Sequence, residues 1–363
     1  MSKKLFLKRI KELKNLLKVS NQAIILTNEV NIGYFCGFFH SEGVMLITQE
    51  QSYLLVDFRY FEAAQKKTCG CEVICFSRLF DELILLLQKN NIKNVYFEAS
   101  DISVSKFTAF KNAFEKNNIE CISTSELDNH ISSIRVIKDK TEFDKILKAQ
   151  QIAERAFNEV LNYIKPEISE KEISARLEFL MKMYGAEDKS FDLITITGKK
   201  TSLPHGVPTD DKIKAGDFFT LDFGAVYEGY HSDTTRTFAI GYATDEMNEI
   251  YNIVLDAQLS ALEKIKAGIL CSDVDKTARD IITQKGFGEY FGHSTGHGVG
   301  LQIHEAPTVS VRSDTVLKVG MVITDEPGIY LPDKFGVRIE DMVCVTDYGY
   351  INFVSLPKEL IIL

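Results

Sequence analysis

The residue pattern of this chain changes near residue 130, and the change limits the folds that the chain can adopt. Residues 22–128 alternate short strand-like apolar runs, such as Ala23-Ile-Ile-Leu-Thr and Gly43-Val-Met-Leu-Ile-Thr, with helical patterns such as residues 79–87. This alternation predicts an α/β layer domain. A charged stretch at 131–140 then leads into one long helical period. We expect two domains, 1–130 and 131–363, as a length of 363 residues also favours.

The second domain is predicted to be α+β. Ser169-Glu-Lys-Glu172 has the spacing of a capping box and predicts a helix that begins there. From Phe218 onward the apolar runs are short, rich in Thr, Val and Ile, and interrupted by glycine, which indicates antiparallel strands with a helix at about 247–265.

The composition excludes several classes of partner. The chain has 45% apolar and 26% charged residues and a net charge of −9, so we expect neither nucleic acid nor an anionic membrane as a partner. The basic start resembles a signal peptide, but Lys11, Lys14 and Lys18 interrupt it and an amphipathic helix is the better interpretation. No stretch is long and apolar enough to span a membrane. We expect a cytoplasmic location.

Neither the cysteines nor the first histidine indicates chemistry in the first domain. The seven cysteines do not form paired C-x-x-C spacings, so reduced thiols are favoured over a zinc site, although Cys69, Cys71 and Cys75 lie close together in the sequence. His40 has no cluster of carboxylates around it. The chemistry is therefore expected in the second domain.

Five residues of the second domain offer oxygen and imidazole ligands. They are Asp222 in Leu-Asp-Phe-Gly-Ala, Asp233 in His-Ser-Asp-Thr-Thr, His297 in Gly-His-Gly-Val-Gly, Glu326 in Asp-Glu-Pro-Gly and Glu340 in Val-Arg-Ile-Glu-Asp. The set is too small for two separate closed sites, but bridging carboxylates can hold two divalent ions about 3.5–4 Å apart. Alone, each Asp can be a turn residue and the His a structural one; their joint occurrence favours a metal centre and a hydrolase.

Local signals suggest how these residues meet. Tyr227-Glu-Gly-Tyr can make a tight turn, so a hairpin would bring Asp222 and Asp233 together. We expect Glu340 to end a strand in which Arg338 shares its face and orients it by a hydrogen bond. Glu326 precedes a proline, which favours an extended backbone.

The five residues, in this order along the chain, resemble the ligand set of the pita-bread metallopeptidases. Within that family they resemble the proline-specific branch, which comprises the Xaa-Pro aminopeptidases and the Xaa-Pro dipeptidases (prolidases). Asn31-Ile-Gly-Tyr-Phe-Cys-Gly-Phe and Val56-Asp-Phe-Arg-Tyr resemble a creatinase-type N-terminal domain. The resemblance covers nearly the whole chain. It implies a pita-bread catalytic domain of α+β class, preceded by a smaller α/β creatinase-like domain, and a homodimer that takes short proline-containing peptides.

The resemblance also implies a role for each site residue. Asp222 would bind one metal ion, His297 and Glu326 the other, and Asp233 and Glu340 would bridge them. Glu326 would in addition be the general base.

The same resemblance assigns the non-ligand residues. His205 would shuttle a proton or contact the leaving group, His293 would line the pocket, and His304 would bond the scissile carbonyl oxygen. Tyr330 and Arg338 would support the ligands. Two divalent ions per chain are implied, with Mn²⁺ as the expected metal and Co²⁺, Zn²⁺ or Fe²⁺ as alternatives.

One departure from the family pattern bears on substrate length. In some compact prolidases, an arginine soon after the His-Glu-x-Pro motif binds the free carboxylate of the dipeptide. In this chain the motif is followed by Thr308. Arg312 is a possible substitute for that arginine, but it stands at a different distance from the motif. The sequence alone thus favours an Xaa-Pro aminopeptidase, with the dipeptidase as the alternative. Methionine aminopeptidase and a non-catalytic binding protein on the same fold are further alternatives.

Overall fold

The computed structural model describes residues 3–39 and 42–363, so His40 lies outside the described residues. The chain divides into two compact units, Met1–Arg135 and Val136–Leu363. The boundary predicted near residue 130 falls within the helix Ser125–Arg135. No described helix is long and apolar enough to cross a membrane.

The N-terminal unit is built on one six-stranded sheet with the strand order β4-β3-β2-β1-β5-β6. β1 pairs in parallel with β5, which pairs in parallel with β6, whereas β2 is antiparallel to both of its neighbours. The predicted alternation of strands and helices is confirmed. The elements are α1 (Lys3–Lys14), β1 (Gln22–Leu26), α2 (Glu29–Cys36), β2 (Val44–Thr48), β3 (Ser52–Val56), α3 (Phe58–Lys67), β4 (Glu72–Cys75), α4 (Leu79–Lys89), β5 (Asn94–Glu98), α5 (Val104–Glu115), β6 (Glu120–Thr124) and α6 (Ser125–Arg135).

The core of this unit lies between the sheet and the helices α4 and α5. Leu83 and Leu87 from α4 and Phe110 and Phe114 from α5 are buried against strand residues such as Phe97. Burial of such side chains is the main stabilising term of the layer, at about 1.5–3 kcal/mol for each.

The C-terminal unit combines four helices with antiparallel strands, as the sequence predicts. Its elements are α7 (Lys140–Val160), α8 (Glu170–Met183), β7 (Asp188–Lys189), β8 (Ile194–Thr197), β9 (Phe218–Phe223), β10 (Ala225–Tyr227), β11 (Tyr230–His231), β12 (Thr234–Ala239), α9 (Asp245–Lys264), α10 (Cys271–Gln284), β13 (Gly296–Gly298), β14 (Glu305–Val309), β15 (Val322–Asp325), β16 (Gly328–Leu331), β17 (Phe335–Arg338), β18 (Asp341–Val345) and β19 (Tyr350–Asn352).

Four small sheets support the site. They have the orders β12-β9-β8, β11-β10-β7, β14-β13-β15-β18-β19 and β16-β17. Helices α9 and α10 share an apolar core with strands of the five-stranded and two-stranded sheets, to which Val254, Val274, Ile323 and Val337 contribute. This packing fixes the positions of the strands whose ends carry the polar side chains of the site.

Two local predictions about this unit are confirmed. Ser169 and Glu172 form the predicted capping box at the start of α8. Tyr227 pairs with Tyr230 across a two-residue turn in which both Glu228 (φ 46°) and Gly229 (φ 79°) are left-handed, as a tight hairpin turn requires.

Candidate metal centre

The five predicted ligands meet at the ends of strands from two sheets. Asp222 lies in β9, opposite Thr235 of β12, and Asp233 immediately precedes β12. His297 is the middle residue of β13, and Glu326 follows the last residue of β15. Glu340 lies in the short connection between β17 and β18, two residues beyond the end of the strand that was predicted to contain it.

Three of these residues form a compact group. One ligand atom from each of Asp233, His297 and Glu340 lies within 4.8 Å of the other two. The Nε2 atom of His297 is also 3.4 Å from Oε1 of Glu326 and 3.5 Å from Oδ2 of Asp233. This spacing allows one ion to be shared between imidazole and carboxylates.

The histidine is prepared as a ligand. His297 Nδ1 lies 3.1 Å from the carbonyl oxygen of Gly298, so a proton on Nδ1 donates there and leaves the lone pair of Nε2 towards the carboxylates. Burial lowers the pKa of His297 to about 4, which keeps the ring neutral. A neutral imidazole with a fixed tautomer is the form that binds a metal ion.

The protein surroundings do not balance the negative charge of these carboxylates when they are ionised. Burial, the largest cause, raises the pKa of Asp222 and raises the pKa values of Asp233 and Glu340 far more. Burial also raises the pKa of Glu326 to about 7. Repulsion from neighbouring carboxylates adds to the rise for Asp233, Glu326 and Glu340. Bound cations would remove this repulsion.

Among the Lys and Arg residues that the structure describes, only Arg338 forms an ion pair with these carboxylates. Its Nη2 donates to Oδ2 of Asp222 at 2.7 Å, while Oδ1 of Asp222 is buried without a hydrogen-bond partner. One guanidinium cannot balance four carboxylates. An unpartnered carboxylate oxygen within an oxygen-rich, buried cluster fits divalent cations, so the residues fit the metal pair that the resemblance implies.

The predicted hydrogen bond from Arg338 to Glu340 is wrong. The Arg338 side chain instead donates to Asp222, Tyr330, Thr235 and the carbonyl oxygen of Pro204. The reason is that β9 and β12 lie beside β17, and the two-residue period could not reveal these neighbours.

Two threonines that the sequence analysis did not single out orient the ligands. Thr235 donates to Oε2 of Glu340 at 2.7 Å, and Thr324 donates to Oε1 of Glu326 at 3.2 Å while accepting from the backbone N–H of His297. Thr235 lies two residues after Asp233, so the strand period could have revealed it.

The three histidines predicted to act without binding a metal ion, His205, His293 and His304, line the same cavity of about 1200 Å³ as the five ligands. The rings of His304 and His297 meet edge to face with centroids 4.3 Å apart. His293 bonds the carbonyl oxygen of Ser294 through Nδ1 and the hydroxyl of Tyr330 through Nε2, and burial lowers its pKa to about 4.

Tyr330 connects His293 to the ligand cluster. Its hydroxyl accepts from Nη1 of Arg338 at 2.9 Å, which leaves its own proton for Nε2 of His293. Burial raises the pKa of Tyr330 to about 12, so this proton is retained at neutral pH. The chain from Asp222 through Arg338 and Tyr330 to His293 is therefore fully hydrogen-bonded.

The rest of the cavity has an apolar side. Phe191, Leu193, Ile194 and Ile303 line it, and Ile194 lies opposite Asp222 across the pairing of β8 with β9. Thr308 also lines the cavity, whereas Arg312 is not among its lining residues in the described chain, so the structure does not support Arg312 as a substrate ligand.

Comparisons with known proteins agree with this arrangement. Residues 144–347 match the model of metallopeptidase family M24, and residues 9–137 match that of the creatinase/prolidase N-terminal domain. The chain is 40% identical to the Xaa-Pro dipeptidase of Pyrococcus furiosus over 93% of this chain and 94% of that protein.

Solved structures give the same result. The Xaa-Pro dipeptidase from Bacillus anthracis is 44% identical with a TM-score of 0.94 and 100% of each chain covered. The X-Pro aminopeptidase from Thermotoga maritima is 38% identical with a TM-score of 0.89, covering 95% of this chain and 98% of that one. The expected fold class is thus confirmed, and the chain belongs to metallopeptidase family M24, with a creatinase/prolidase N-terminal domain.

Proposed function

We propose that this protein is an Xaa-Pro dipeptidase that holds two divalent metal ions. The observation that carries the proposal is the group of Asp233, His297 and Glu340, with Glu326 3.4 Å from His297 and Asp222 lining the same cavity. The relatives at 40% and 44% identity are named Xaa-Pro dipeptidases. These relatives favour the dipeptidase over the aminopeptidase that Thr308 suggested.

Asp222, Asp233, His297, Glu326 and Glu340 would hold the ions. Bound ions supply Lewis acidity and lower the pKa of a coordinated water towards neutrality. Manganese is the metal that we propose, because oxygen ligands outnumber the single imidazole. The homodimer remains a prediction.

The chain's own residues would handle protons and orientation. Glu326 accepts a proton from the attacking water, as general base. His304, whose ring contacts His297, donates a hydrogen bond to the scissile carbonyl oxygen. His205 contacts the proline nitrogen, which needs a proton to leave. His293 is held neutral by burial and shapes the pocket.

The apolar side of the cavity suits the proline ring. Ile194 lies opposite Asp222 in the strand register, Phe191 lines the same cavity, and the two side chains offer an apolar surface for a pyrrolidine ring. A bond to proline lacks an N–H, so recognition must rely on the ring and on the carbonyl rather than on a backbone donor.

The aminopeptidase is retained as a second candidate for two reasons. Thr308 lines the cavity without offering a cation for a free carboxylate, and the Thermotoga maritima relative is named an X-Pro aminopeptidase.

The test compares hydrolysis of Ala-Pro, Ala-Pro-Ala, Ala-Ala and Ala-Ala-Ala by the manganese-loaded protein. Faster cleavage of Ala-Pro supports the dipeptidase, and faster cleavage of Ala-Pro-Ala supports the aminopeptidase. Cleavage of Ala-Ala at the same rate as Ala-Pro would contradict proline specificity in either form.

A further inference from the structure

The loop that carries His205 is not held in place by its own packing. Residues 198–209 begin with the short 3-10 helix Gly198–Ser202 and pass along the cavity. Around His205, which is itself exposed, Leu203 and Val207 are 53% and 72% exposed. A loop with so little buried apolar surface needs another means of fixing its conformation.

Glu170, the first residue of α8, joins both ends of this loop. Its Oε1 accepts from the backbone N–H of Thr197 at 2.8 Å, just before the loop. Its Oε2 accepts from the backbone N–H of Thr209 at 2.8 Å and from the Thr209 hydroxyl at 3.0 Å, at the end of the loop. Lys200, inside the loop, also donates to Oε2. One carboxylate thus ties the start, the interior and the end together.

The carboxylate of Glu170 is surrounded by donors. Glu170 is fully buried, and its two carboxylate oxygens accept only from N–H and O–H groups. It also lies in the first turn of α8, where the positive end of the helix dipole stabilises negative charge. Charge-assisted hydrogen bonds of this kind are about twice as strong as neutral ones.

The part of the loop that precedes His205 is held by bonds that do not involve Glu170. The hydroxyl of Thr201 accepts from the backbone N–H of Gly336 in β17, and the carbonyl oxygen of Pro204 accepts from Arg338. These bonds fix residues before His205. On the other side of His205, the connection to Thr209 is held through Glu170.

We propose that Glu170 is a positioning residue that fixes His205 over the metal centre by clamping the loop 198–209. The inference rests on the proposed function, because His205 is assigned to the leaving group there. Glu170 acts through the loop and does not touch the substrate.

The test is a double-mutant cycle of Glu170→Gln with His205→Ala in the manganese-loaded protein. The glutamine keeps the shape of the side chain, but its amide N–H₂ replaces one carboxylate oxygen. It therefore faces N–H or O–H donors of the loop and cannot accept from them. Misplacement of His205 should lower kcat for Ala-Pro by about tenfold to a hundredfold, with a smaller change in KM. In the His205→Ala background, Glu170→Gln should cause no further loss. Metal content should stay at the wild-type value.

A matched control is Lys212→Met. Lys212 pairs with Glu172, which lies in α8 like Glu170. The side chains of Lys212 and Glu172 are 46% and 58% exposed. This variant should keep wild-type kcat, because an exposed ion pair contributes little.

Folding of the Glu170→Gln variant is expected because Lys200 keeps a partner: its Nζ is 3.5 Å from Asp211. If the variant does not fold, Thr209→Val, which removes one hydroxyl bond to Glu170, takes its place in the cycle. An equal loss of kcat in both backgrounds, or none in either, would overturn the inference. Failure of the wild-type protein to cleave Ala-Pro would instead refute the proposed function.

Discussion

Replacement of Arg338 by methionine should destabilise the metal-free C-terminal unit by about 3–5 kcal/mol. The change removes the partner of Asp222, which is bound at 2.7 Å with side-chain exposures of only 6% and 12%. A buried charge that loses its partner costs about this much, because neither water nor another cation can replace the guanidinium. For a unit of this size we expect the Tm to fall by roughly 6–20 °C, at about 2–4 °C per kcal/mol.

The control is Lys334→Met. Lys334 and Glu246 are also 2.7 Å apart, but their side chains are 59% and 51% exposed. Its loss should cost less than about 1 kcal/mol, because exposed pairs are screened by water. The two ion pairs therefore have the same length and differ in burial, and Arg338 loses in addition its bonds to Thr235, Pro204 and Tyr330.

The assay is urea unfolding of chelator-treated protein, extrapolated linearly to water. The chain has no Trp, so circular dichroism is the suitable signal. The double variant Asp222→Asn with Arg338→Met should be more stable than Arg338→Met alone, since position 222 then carries no charge that has lost its partner. A cost below about 1 kcal/mol for Arg338→Met, equal to that of Lys334→Met, would refute the reasoning.

Further predictions concern the site and both units. Asp233→Ala should abolish activity and lower metal content, whereas His304→Ala should keep its metal and lose most turnover; an equal fall in metal content, measured by atomic emission, would contradict the assigned roles. Burial, opposed by bonds from Thr27, Asn31 and Asn28, raises the pKa of Glu98 from 4.5 to about 7. The contribution of Glu98 to stability is therefore complete below about pH 4.5 and is lost as the pH rises through about 7. The loss in the free energy of unfolding is up to about 3 kcal/mol. The urea concentration at the unfolding midpoint should fall between pH 5 and pH 8 in the wild type, and should fall less in Glu98→Gln. Gly224→Ala should cost about 1–3 kcal/mol in the same assay, because the new Cβ would lie 1.9 Å from the carbonyl oxygen of Ser232 and the backbone would have to move.

Short-range signals in the sequence predicted the elements well. The capping box of Ser169 and Glu172 depends on two residues three positions apart, and the turn between Tyr227 and Tyr230 depends on Glu228-Gly229. Such features are decided by neighbouring dihedral angles, which the local sequence controls. The ligand residues could be recognised for the same reason, since each has a distinctive local setting.

The partners of these residues depended on tertiary structure. Arg338 was expected to bond Glu340, two residues away, but bonds Asp222, which is 116 positions distant. Likewise the loop around His205 is fixed by Glu170, which the sequence analysis did not identify beyond its place in the capping box. Contacts of this range follow from strand register and helix packing, which no local pattern specifies.

By itself, therefore, the sequence determined the two-part organisation, the α/β and α+β classes and a set of metal-ligating residue types. Only the tertiary structure decided that Asp233, His297 and Glu340 come within 4.8 Å, that burial raises the pKa values of the two carboxylates, and that Arg312 is not among the residues that line the cavity. The physical reason is that ligand type is a property of one side chain, whereas distance, burial and electrostatic repulsion belong to the packed assembly of strands.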